Sequence, residues 1–467
     1  MNHVPYDASG GAPRSVAHES VGTLAGAGAA GDGSPAPLPG GRAGAGLGPA
    51  PAGHGAAADG AAAAGARYMW IVLATAVFTQ ITYSLPNQGI GAITPFLQAD
   101  LAMTREQIGL LVSFAQIGMG LTFLPGGWAA DRFGCRPVTI AGLGLVSLAV
   151  LVLAQVRDIP WAYVGTFLGG AGVGVTSPPV TMMILRWFPA RSRGTAMGLK
   201  QAGTPIGGML AALWLPAAGQ VIGWRPALAA VALTIVASVL LVLLLYRDPA
   251  GMPRLERRAG GPWLAPAIFS RPVLVITCYS AVLVTAQFCV IGYTVLFVTE
   301  WLGRGAVAGG WALSATLAGG MTGRVVWGVV SDRVFHGVRK PVLTAAGAVA
   351  ALALGILALL PPPTPLAVVF ALGFVLGFAV LGWQGVGIAL TAELAGSSDA
   401  GRVVGFSLMA LQVGPIVGPP LVGRLLDVTG SYPLAWAAVA AICALGTLGF
   451  AATMREPTLR TARREKR

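Results

Sequence analysis

Charged side chains are scarce in this chain: Asp, Glu, Lys and Arg make up 10% of its 467 residues, whereas 55% are hydrophobic. Soluble domains carry about 25% charged residues. A chain with so few charges cannot cover a folded core with a water-compatible surface, so the composition excludes an ordinary soluble protein. The 67 glycines agree with a membrane protein, because small residues let transmembrane helices approach each other closely.

Side chains that serve catalysis or bind metals are also few. The four cysteines show no metal-ligand or redox spacing. The four histidines all lie outside the apolar segments: His3, His18, His54 and His336. No acid–base pair or metal cluster can be assembled from these residues. We therefore predict that the protein is not an enzyme and that it uses no cofactor and no metal ion.

The formal net charge of +13 would favour nucleic-acid binding only if the basic residues formed a patch. Instead they fall singly or in small groups at the ends of apolar segments, with a larger group after Met454. This distribution is typical of the charges that orient a membrane protein. We expect the lipid bilayer, and no nucleic acid, to be the partner of these charges.

Twelve apolar stretches follow Tyr68, and each is long enough to cross the ~30 Å hydrocarbon layer as a helix. They lie near 69–96, 107–128, 137–155, 161–185, 194–217, 226–246, 272–299, 308–330, 341–360, 364–391, 403–426 and 432–454. The sequence therefore predicts an all-α membrane protein. Of residues 1–66, 43 are Ala, Gly or Pro, which predicts a disordered N-terminal tail or an untranslated stretch that ends before a start at Met69.

Lys and Arg counts in the connections predict the orientation. If the N-terminus is cytoplasmic, the inner loops and the C-terminal tail carry 20 of these residues and the outer loops carry five. We expect a multi-pass protein of the cell inner membrane with both termini in the cytoplasm. A cytoplasmic linker at 247–271 then separates helical bundles at 67–246 and 272–454, and a basic tail follows at 455–467.

Two loops repeat one another. The loop after the second apolar stretch reads GWAADRFGCR at 127–136, and the loop after the eighth reads GVVSDR at 328–333. Aligned at an offset of 201 residues, they pair Gly127 with Gly328, Asp131 with Asp332 and Arg132 with Arg333. This internal repeat predicts a duplicated six-helix unit.

The loop at 127–136 closely resembles the hallmark loop of the major facilitator superfamily, and the resemblance extends over residues 69–454. It implies the fold of that family, which is twelve transmembrane helices in two pseudo-symmetric six-helix bundles, and transport by alternating access. In the family, the Asp of this loop lies against the start of the eleventh helix and the Arg residues bind acidic groups, which latches the cytoplasmic face. By resemblance the latch comprises Gly127, Asp131, Arg132, Gly134, Arg136, Gly328, Asp332 and Arg333.

One departure affects this latch. Residues 159–199 contain no Asp or Glu, so the acidic partner often found at the end of the fourth helix is missing. The latch is therefore expected to be simpler than in other members. The alternative is that the arginines of these loops only enforce orientation in the membrane.

Two cations lie inside predicted membrane helices. At ~1.5 Å per residue, Lys200 is about 10 Å from the inner loop at Arg193, and Arg324 is about 12 Å from Asp332. Placing a cation at such a depth costs ~2.5–3.5 kcal/mol, so these residues usually face a cavity. In the facilitator fold the fifth and eighth helices are neighbours across the interface of the halves, which implies that both cations face one central cavity.

No carboxylate lies at this depth in the predicted helices, so we expect the two cations to bind an anion. The alternative is that their long side chains extend to the membrane surface. Arg324 resembles the eighth-helix Arg of nitrate/nitrite porters, oxalate/formate exchangers and monocarboxylate transporters. The second-helix Arg of the nitrate porters is absent, however, and Leu411 stands where the oxalate exchangers have a Lys.

Polar residues surround the two cations in the predicted arrangement. Gln80, Tyr83, Ser84 and Asn87 follow one face of the first helix. The predicted solute-binding residues are Arg324, Lys200, Gln80, Tyr83, Asn87, Gln201, Gln287, Gln384 and Gln412. We expect a monomeric secondary transporter for a small organic or inorganic anion such as a carboxylate, with a co-transported proton or a counter-anion.

Two alternatives to an anion carrier stay open at this point. A proton-coupled carrier of drugs or neutral solutes is suggested by residues 203–208, which resemble the antiporter motif of drug exporters with Thr204 interrupting it. Such carriers generally need a titratable carboxylate in the cavity, which the predicted helices do not offer. A membrane scaffold without transport activity is the other alternative.

The predicted orientation can be tested by fusing reporters into the 247–271 loop. Reporters that are active only in the cytoplasm should be active there, because the predicted cytoplasmic side carries four times as many Lys and Arg residues as the outer loops. Activity of a periplasmic reporter at the same position would contradict the assignment of all twelve passes.

Overall fold

A computed structural model of the chain describes residues 53–248 and 266–455, and within them every regular element is a helix. The described residues from Asp59 onward belong to one compact unit. The first helix begins at Gly53, so the end of the segment predicted to be disordered is helical. Residues 1–52 of that segment, most of the predicted linker and the basic tail from residue 456 lie outside the described residues.

The described residues form thirteen α-helices. Their bounds are α1 Gly53–Leu101, α2 Arg105–Phe133, α3 Cys135–Ala154, α4 Ile159–Trp187, α5 Ala190–Val221, α6 Trp224–Leu245, α7 Arg271–Leu296, α8 Ala306–Val329, α9 Lys340–Ala358, α10 Leu366–Val380, α11 Gln384–Ala410, α12 Val413–Thr429 and α13 Tyr432–Thr453. Short π-helical turns, Phe297–Trp301 and Val330–Val334, extend α7 and α8.

These helices make twelve membrane passes, which confirms the predicted fold. The tenth pass is Leu366–Gly396 and the eleventh is Val403–Thr429, so α11 turns from one into the other. The turn lies at Gly396, whose φ of +73° is readily adopted only by glycine. Ten passes are long and apolar enough to be found from length and composition, and α5 and α8 are not among them. These two helices carry the two cations, Lys200 and Arg324.

Glycines bring backbones together at equivalent places in the two halves. A Cβ atom added at Gly118 of α2 would lie 2.1 Å from the carbonyl oxygen of Phe167 in α4. At Gly319 of α8 it would lie 1.9 Å from the carbonyl oxygen of Phe374 in α10. Gly118 and Gly319 are 201 residues apart, which is the offset of the repeated loops. Each half therefore contains a helix pair whose backbones touch and cannot separate without creating a void.

The two halves meet at the end of the molecule predicted to face outside. The carboxylate of Asp427 in α12 accepts hydrogen bonds from the backbone N–H groups of Arg105, at 2.9 Å, and Glu106, at 2.8 Å. These N–H groups belong to the first turn of α2, where unpaired donors and the helix dipole favour a negative charge. Arg105 also donates from Nε to Glu300 at 2.8 Å. Residues of the second half thus cap and hold a helix of the first.

Close packing accompanies these polar contacts. A Cβ atom at Gly109 of α2 would lie 2.6 Å from the carbonyl oxygen of Pro419, and the Ser113 hydroxyl donates to the carbonyl oxygen of Ile416 at 2.5 Å. The α2 and α12 backbones therefore touch along several turns. This contact closes the interface of the halves at the predicted outer end.

Loosening this closure should expose residues at the interface of α2 and α12. In a chain carrying Ser113→Cys and Cys278→Ser, we expect Asp427→Asn to speed labelling of the thiol introduced at position 113 by a membrane-impermeant reagent. The expected increase is about fivefold, which corresponds to a loss of about 1 kcal/mol. Asp158→Asn is the matched control, because Asp158 caps α4 within a single half. Equal labelling rates in all three proteins would show that Asp427 does not hold the halves together.

Candidate functional site

Lys200 lies in α5 with only 2% of its surface exposed. Its Nζ atom donates to the Thr181 hydroxyl of α4 at 3.0 Å and to the Gln201 side-chain oxygen at 3.4 Å. The Thr181 hydroxyl donates its own proton to the carbonyl oxygen of Ser177 at 2.9 Å, so its lone pairs are available to the ammonium group. The ammonium group is therefore held inside the protein by neutral acceptors.

Arg324 reaches from α8 to three other elements. Its Nη2 atom donates to the Gln384 side-chain oxygen at 2.8 Å, and Gln384 donates in turn to the Gln287 side chain of α7 at 3.0 Å. Its Nη1 atom donates to the backbone oxygen of Gln201 at 3.3 Å, and its Nε atom to the backbone oxygen of Leu381 at 3.4 Å. Neutral acceptors thus fix the plane of the half-buried guanidinium group.

Gln201 connects the two cations. Its side-chain oxygen accepts from Lys200 in the first half, and its backbone oxygen accepts from Arg324 in the second. Within residues 53–248 and 266–455, neither cation lies within 4.0 Å of a carboxylate oxygen. Two positive charges therefore share one region of the interface with only dipoles to stabilise them.

The polar face of α1 adjoins this pair. Gln80 is buried, and its side-chain nitrogen donates to the Thr204 hydroxyl at 2.6 Å while its oxygen accepts from Tyr83. Thr204 lies four residues after Lys200, on the same face of α5. A Cβ atom at Gly203 would lie 2.9 Å from the Gln80 side chain, so glycine lets the two helices touch. Gln80 and Tyr83 therefore border the site through α5.

The predicted solute-binding residues do not all lie together. Arg324, Lys200, Gln201, Gln287 and Gln384 form one hydrogen-bonded network, and Gln80 and Tyr83 adjoin it. Asn87 lies two turns further along α1 and lines a separate cavity.

Gln412 lies between α11 and α12, and its side chain forms no hydrogen bond within the part of the chain that the structure describes. Thr181 and Thr204 were not predicted. The spacing of Thr204 from Lys200 could have indicated it, whereas no sequence pattern connects Thr181 to the site. Among the described residues, no group of three or more His, Cys, Asp or Glu side chains could hold a metal ion.

The predicted latch loop is arranged around a residue that the sequence analysis did not identify. Asp248, just after α6, accepts hydrogen bonds from the backbone N–H groups of Cys135, at 3.2 Å, and Arg136, at 3.1 Å. It also forms an ion pair of 3.2 Å with Arg186 at the end of α4. The acid missing from the end of the fourth helix is thus supplied by the end of the sixth. Gly134 has a φ of +96°, and a Cβ atom there would lie 2.9 Å from Asp248.

The charged residues of the repeated loops differ in their contacts. Arg132 lies over the rings of Trp128 and Phe133, with its guanidinium carbon 5.5 and 5.6 Å from their centres. Asp131 is exposed, and it forms no hydrogen bond or ion pair within the described ranges. The side chains of 397–402, just before the eleventh pass, are not among those that the structure describes.

In the second half, Asp332 pairs with Arg339, which also contacts Glu393 of α11 at 3.2 Å. Arg333 is exposed, and a Cβ atom at Gly328 would meet no atom within 4 Å. A Cβ atom added at Gly127 would have Pro178 as its nearest contact, at 3.7 Å. Among the described residues, Asp332 therefore contacts only residues of the second half.

Comparisons with known proteins agree with this architecture. The model of the Major Facilitator Superfamily matches residues 76–334 and 290–467. The chain is 29% identical to an uncharacterised transporter of this type from Mycobacterium tuberculosis (strain CDC 1551 / Oshkosh), over 80% of this chain and 82% of the relative. It is 26% identical to the 3-(3-hydroxy-phenyl)propionate transporter of Escherichia coli (strain K12), over 78% of this chain and 89% of that protein.

The fold is also similar to a solved structure of a bacterial homologue to the human lysosomal transporter Spinster, in an inward-facing and occupied conformation. The TM-score is 0.69 and the sequence identity 16%, over 82% of this chain and 96% of that one. At this identity the likeness concerns the fold alone.

Asp248 and Asp131 should contribute differently to stability. We expect Asp248→Asn to lower the free energy of unfolding by about 1–2 kcal/mol, because it weakens a helix cap and an ion pair that join three helices. Asp131→Asn is the matched control and should leave thermal unfolding in detergent unchanged. Similar losses of stability in the two variants would contradict this account of the loop.

Proposed function

The chain belongs to the major facilitator superfamily, and on that premise we propose that it carries a small anion, such as a carboxylate, across the membrane by alternating access. One observation carries the proposal: Lys200 and Arg324, from opposite halves, converge on Gln201 with no carboxylate partner among the described residues. Its relative in Escherichia coli, named as a transporter of a phenylpropionate, supports the choice of a carboxylate.

The energetics of the two cations favour a bound anion. A buried charge is costly unless it is paired, and neutral hydrogen bonds compensate this cost only in part. An anion between the cations would replace weak dipole contacts with charge-assisted hydrogen bonds, which are roughly twice as strong. The planar guanidinium group of Arg324 can bind a carboxylate through two parallel hydrogen bonds, and Lys200 adds a point charge.

The position of the site suggests how binding is coupled to movement. Arg324 belongs to the second half and contacts the backbone of the first, so an anion that takes over this contact links the halves. A ligand can shift a conformational equilibrium only through such differential contacts. We infer that the anion binds from the predicted cytoplasmic side in the state described here, in which the opposite end is closed by α2 and α12.

The charge pattern bears on coupling and topology. Without a central Asp, Glu or His in the described passes, a proton would have to be carried by Lys200 or by the solute itself. Exchange of one anion for another satisfies the site equally well, because the cations then remain paired throughout the cycle. We further propose that the protein is a monomer of the cell inner membrane with both termini in the cytoplasm.

Substitutions at Arg324 test this proposal. Arg324→Lys keeps the charge but loses the fork of donors, and Arg324→Gln loses both. With each hydrogen bond to a charged group worth about 1.5–3 kcal/mol, we expect the Gln variant to bind carboxylates at least about tenfold more weakly and the Lys variant to be intermediate. Uptake into proteoliposomes and thermal stabilisation of the detergent-purified protein by a panel of carboxylates would measure this.

Arg304→Gln is the matched control, because Arg304 is exposed in the connection after α7 and its side chain forms no ion pair within the described residues. It should bind and transport as the wild type does. Wild-type uptake of a bound carboxylate by Arg324→Gln, with both proteins monodisperse, would refute anion binding by Arg324.

A further inference from the structure

A cavity lies inside the first half, between α1, α2, α3 and α4, with Phe288 of α7 on one side. Its volume is about 40 Å³. This is room for about three water-sized groups, at roughly 10–15 Å³ each, and far too little for a whole organic solute. Most of its walls are apolar, and three polar side chains line it: Asn87, Gln116 and Thr166.

Gln116 is the unusual member of this lining. Only 1% of its surface is exposed, and neither its side-chain nitrogen nor its side-chain oxygen has a hydrogen-bond partner among the described residues. Buried amides are nearly always hydrogen-bonded, because an unpaired donor or acceptor in an apolar region is costly. Gln116 therefore presents both a donor and an acceptor to this cavity.

The other two polar residues add to this capacity. Asn87 forms no side-chain hydrogen bond within the described ranges, so it too offers a donor and an acceptor. The Thr166 hydroxyl donates to the carbonyl oxygens of its own helix, at Ala162 and Tyr163, both at 3.1 Å. The cavity is thus equipped for a neutral group that both donates and accepts hydrogen bonds. A second charge would be poorly stabilised by its apolar walls.

Two helices connect the cavity to the cation pair. Asn87 lies seven residues beyond Gln80 on the same face of α1, which places the cavity about 10.5 Å further along that helix. Phe288 follows Gln287, which belongs to the hydrogen-bonded network of Arg324. The cavity therefore adjoins the Arg324 network along α7 and lies two turns beyond Gln80 along α1.

We propose that this cavity holds the distal end of the transported anion and selects solutes with an uncharged hydroxyl group there. The inference rests on the proposed anion transport and specifies its substrate class. The solute is an organic monoanion about 10 Å long, with its carboxylate at Arg324 and Lys200 and its hydroxyl group at Gln116 and Asn87. Anions as small as nitrate or formate cannot reach both sites.

The test measures the binding of two matched pairs of acids to the full chain in detergent. One pair is 3-(3-hydroxyphenyl)propionate and 3-phenylpropionate, and the other is 8-hydroxyoctanoate and octanoate. Gln116→Leu removes the unpaired amide. Gly169→Ala narrows the cavity from the other side, since its added methyl would lie 3.7 Å from Ala149, an ordinary contact that preserves the fold. Gln88→Leu is the matched control, because Gln88 also has an unpartnered buried oxygen but does not line the cavity.

We expect the wild type to bind the hydroxylated member of at least one pair about threefold to tenfold more tightly, as one or two neutral hydrogen bonds allow. Gln116→Leu should abolish this preference without weakening the plain acid, Gly169→Ala should reduce the preference because less room remains for the hydroxyl group, and Gln88→Leu should retain it. A wild type without preference in either pair overturns the proposal, and so does a Gln116→Leu variant that keeps the preference or binds both acids equally more weakly.

Arg324→Gln separates this inference from the function on which it rests. If Arg324→Gln no longer binds either acid of a pair, the anion site is supported. The preference of the wild type for the hydroxylated acid then reports on the cavity alone. If the variant binds both acids as the wild type does, anion binding at Arg324 is refuted while the cavity result still holds. A wild type that binds none of the four acids overturns both.

Discussion

Two cations at the interface of the halves, one buried and one half-buried, have only neutral partners among the described residues, and the rest of the site depends on this constraint. Lys200 is held by Thr181 and Gln201, and Arg324 by a relay of Gln384 and Gln287 together with two backbone carbonyl groups. None of these partners can neutralise a charge. The surroundings instead fix the two cations in position, so the anion that we propose would meet a site that is already oriented and would spend little free energy on ordering it.

The architecture divides into parts that must stay together and parts that can separate. Within each half, glycines place backbones in direct contact, at Gly118 of α2 and at Gly319 of α8. Asp248 ties three helices of the first half at the opposite end from α2's first turn. Between the halves, α2 and α12 also touch at Gly109, and the same end is held by the Asp427 carboxylate and by Arg105, groups that water can solvate once the contact opens. Charged groups at this end are compatible with halves that separate there during alternating access.

The sequence predicted the twelve passes and the depth of the two cations, because hydrophobic length and positive charge are properties of the local chain. The sequence did not predict the acid beside the loop at 127–136. Asp248 follows a different helix, and only the folded chain brings it to Arg186. Thr181 was not predicted for the same reason, because its contact with Lys200 depends on how α4 is rotated about its axis. Asn87 shares a helical face with Gln80, and it lines the cavity at Gln116 two turns away from Gln80. Gln412 was predicted from depth alone, and depth does not specify which way a side chain points.

The charge of the solute tests the central claim most directly. A carboxylic acid and its carboxamide have nearly the same shape, so purified wild-type protein can be scanned for thermal unfolding with each of several such pairs. A carboxylate at 100 times its dissociation constant should stabilise the protein by about 2.7 kcal/mol, and the matching amide should have little effect. Equal stabilisation by the acid and the amide would show that the site does not recognise negative charge, and would contradict the account of Lys200 and Arg324 as an anion site.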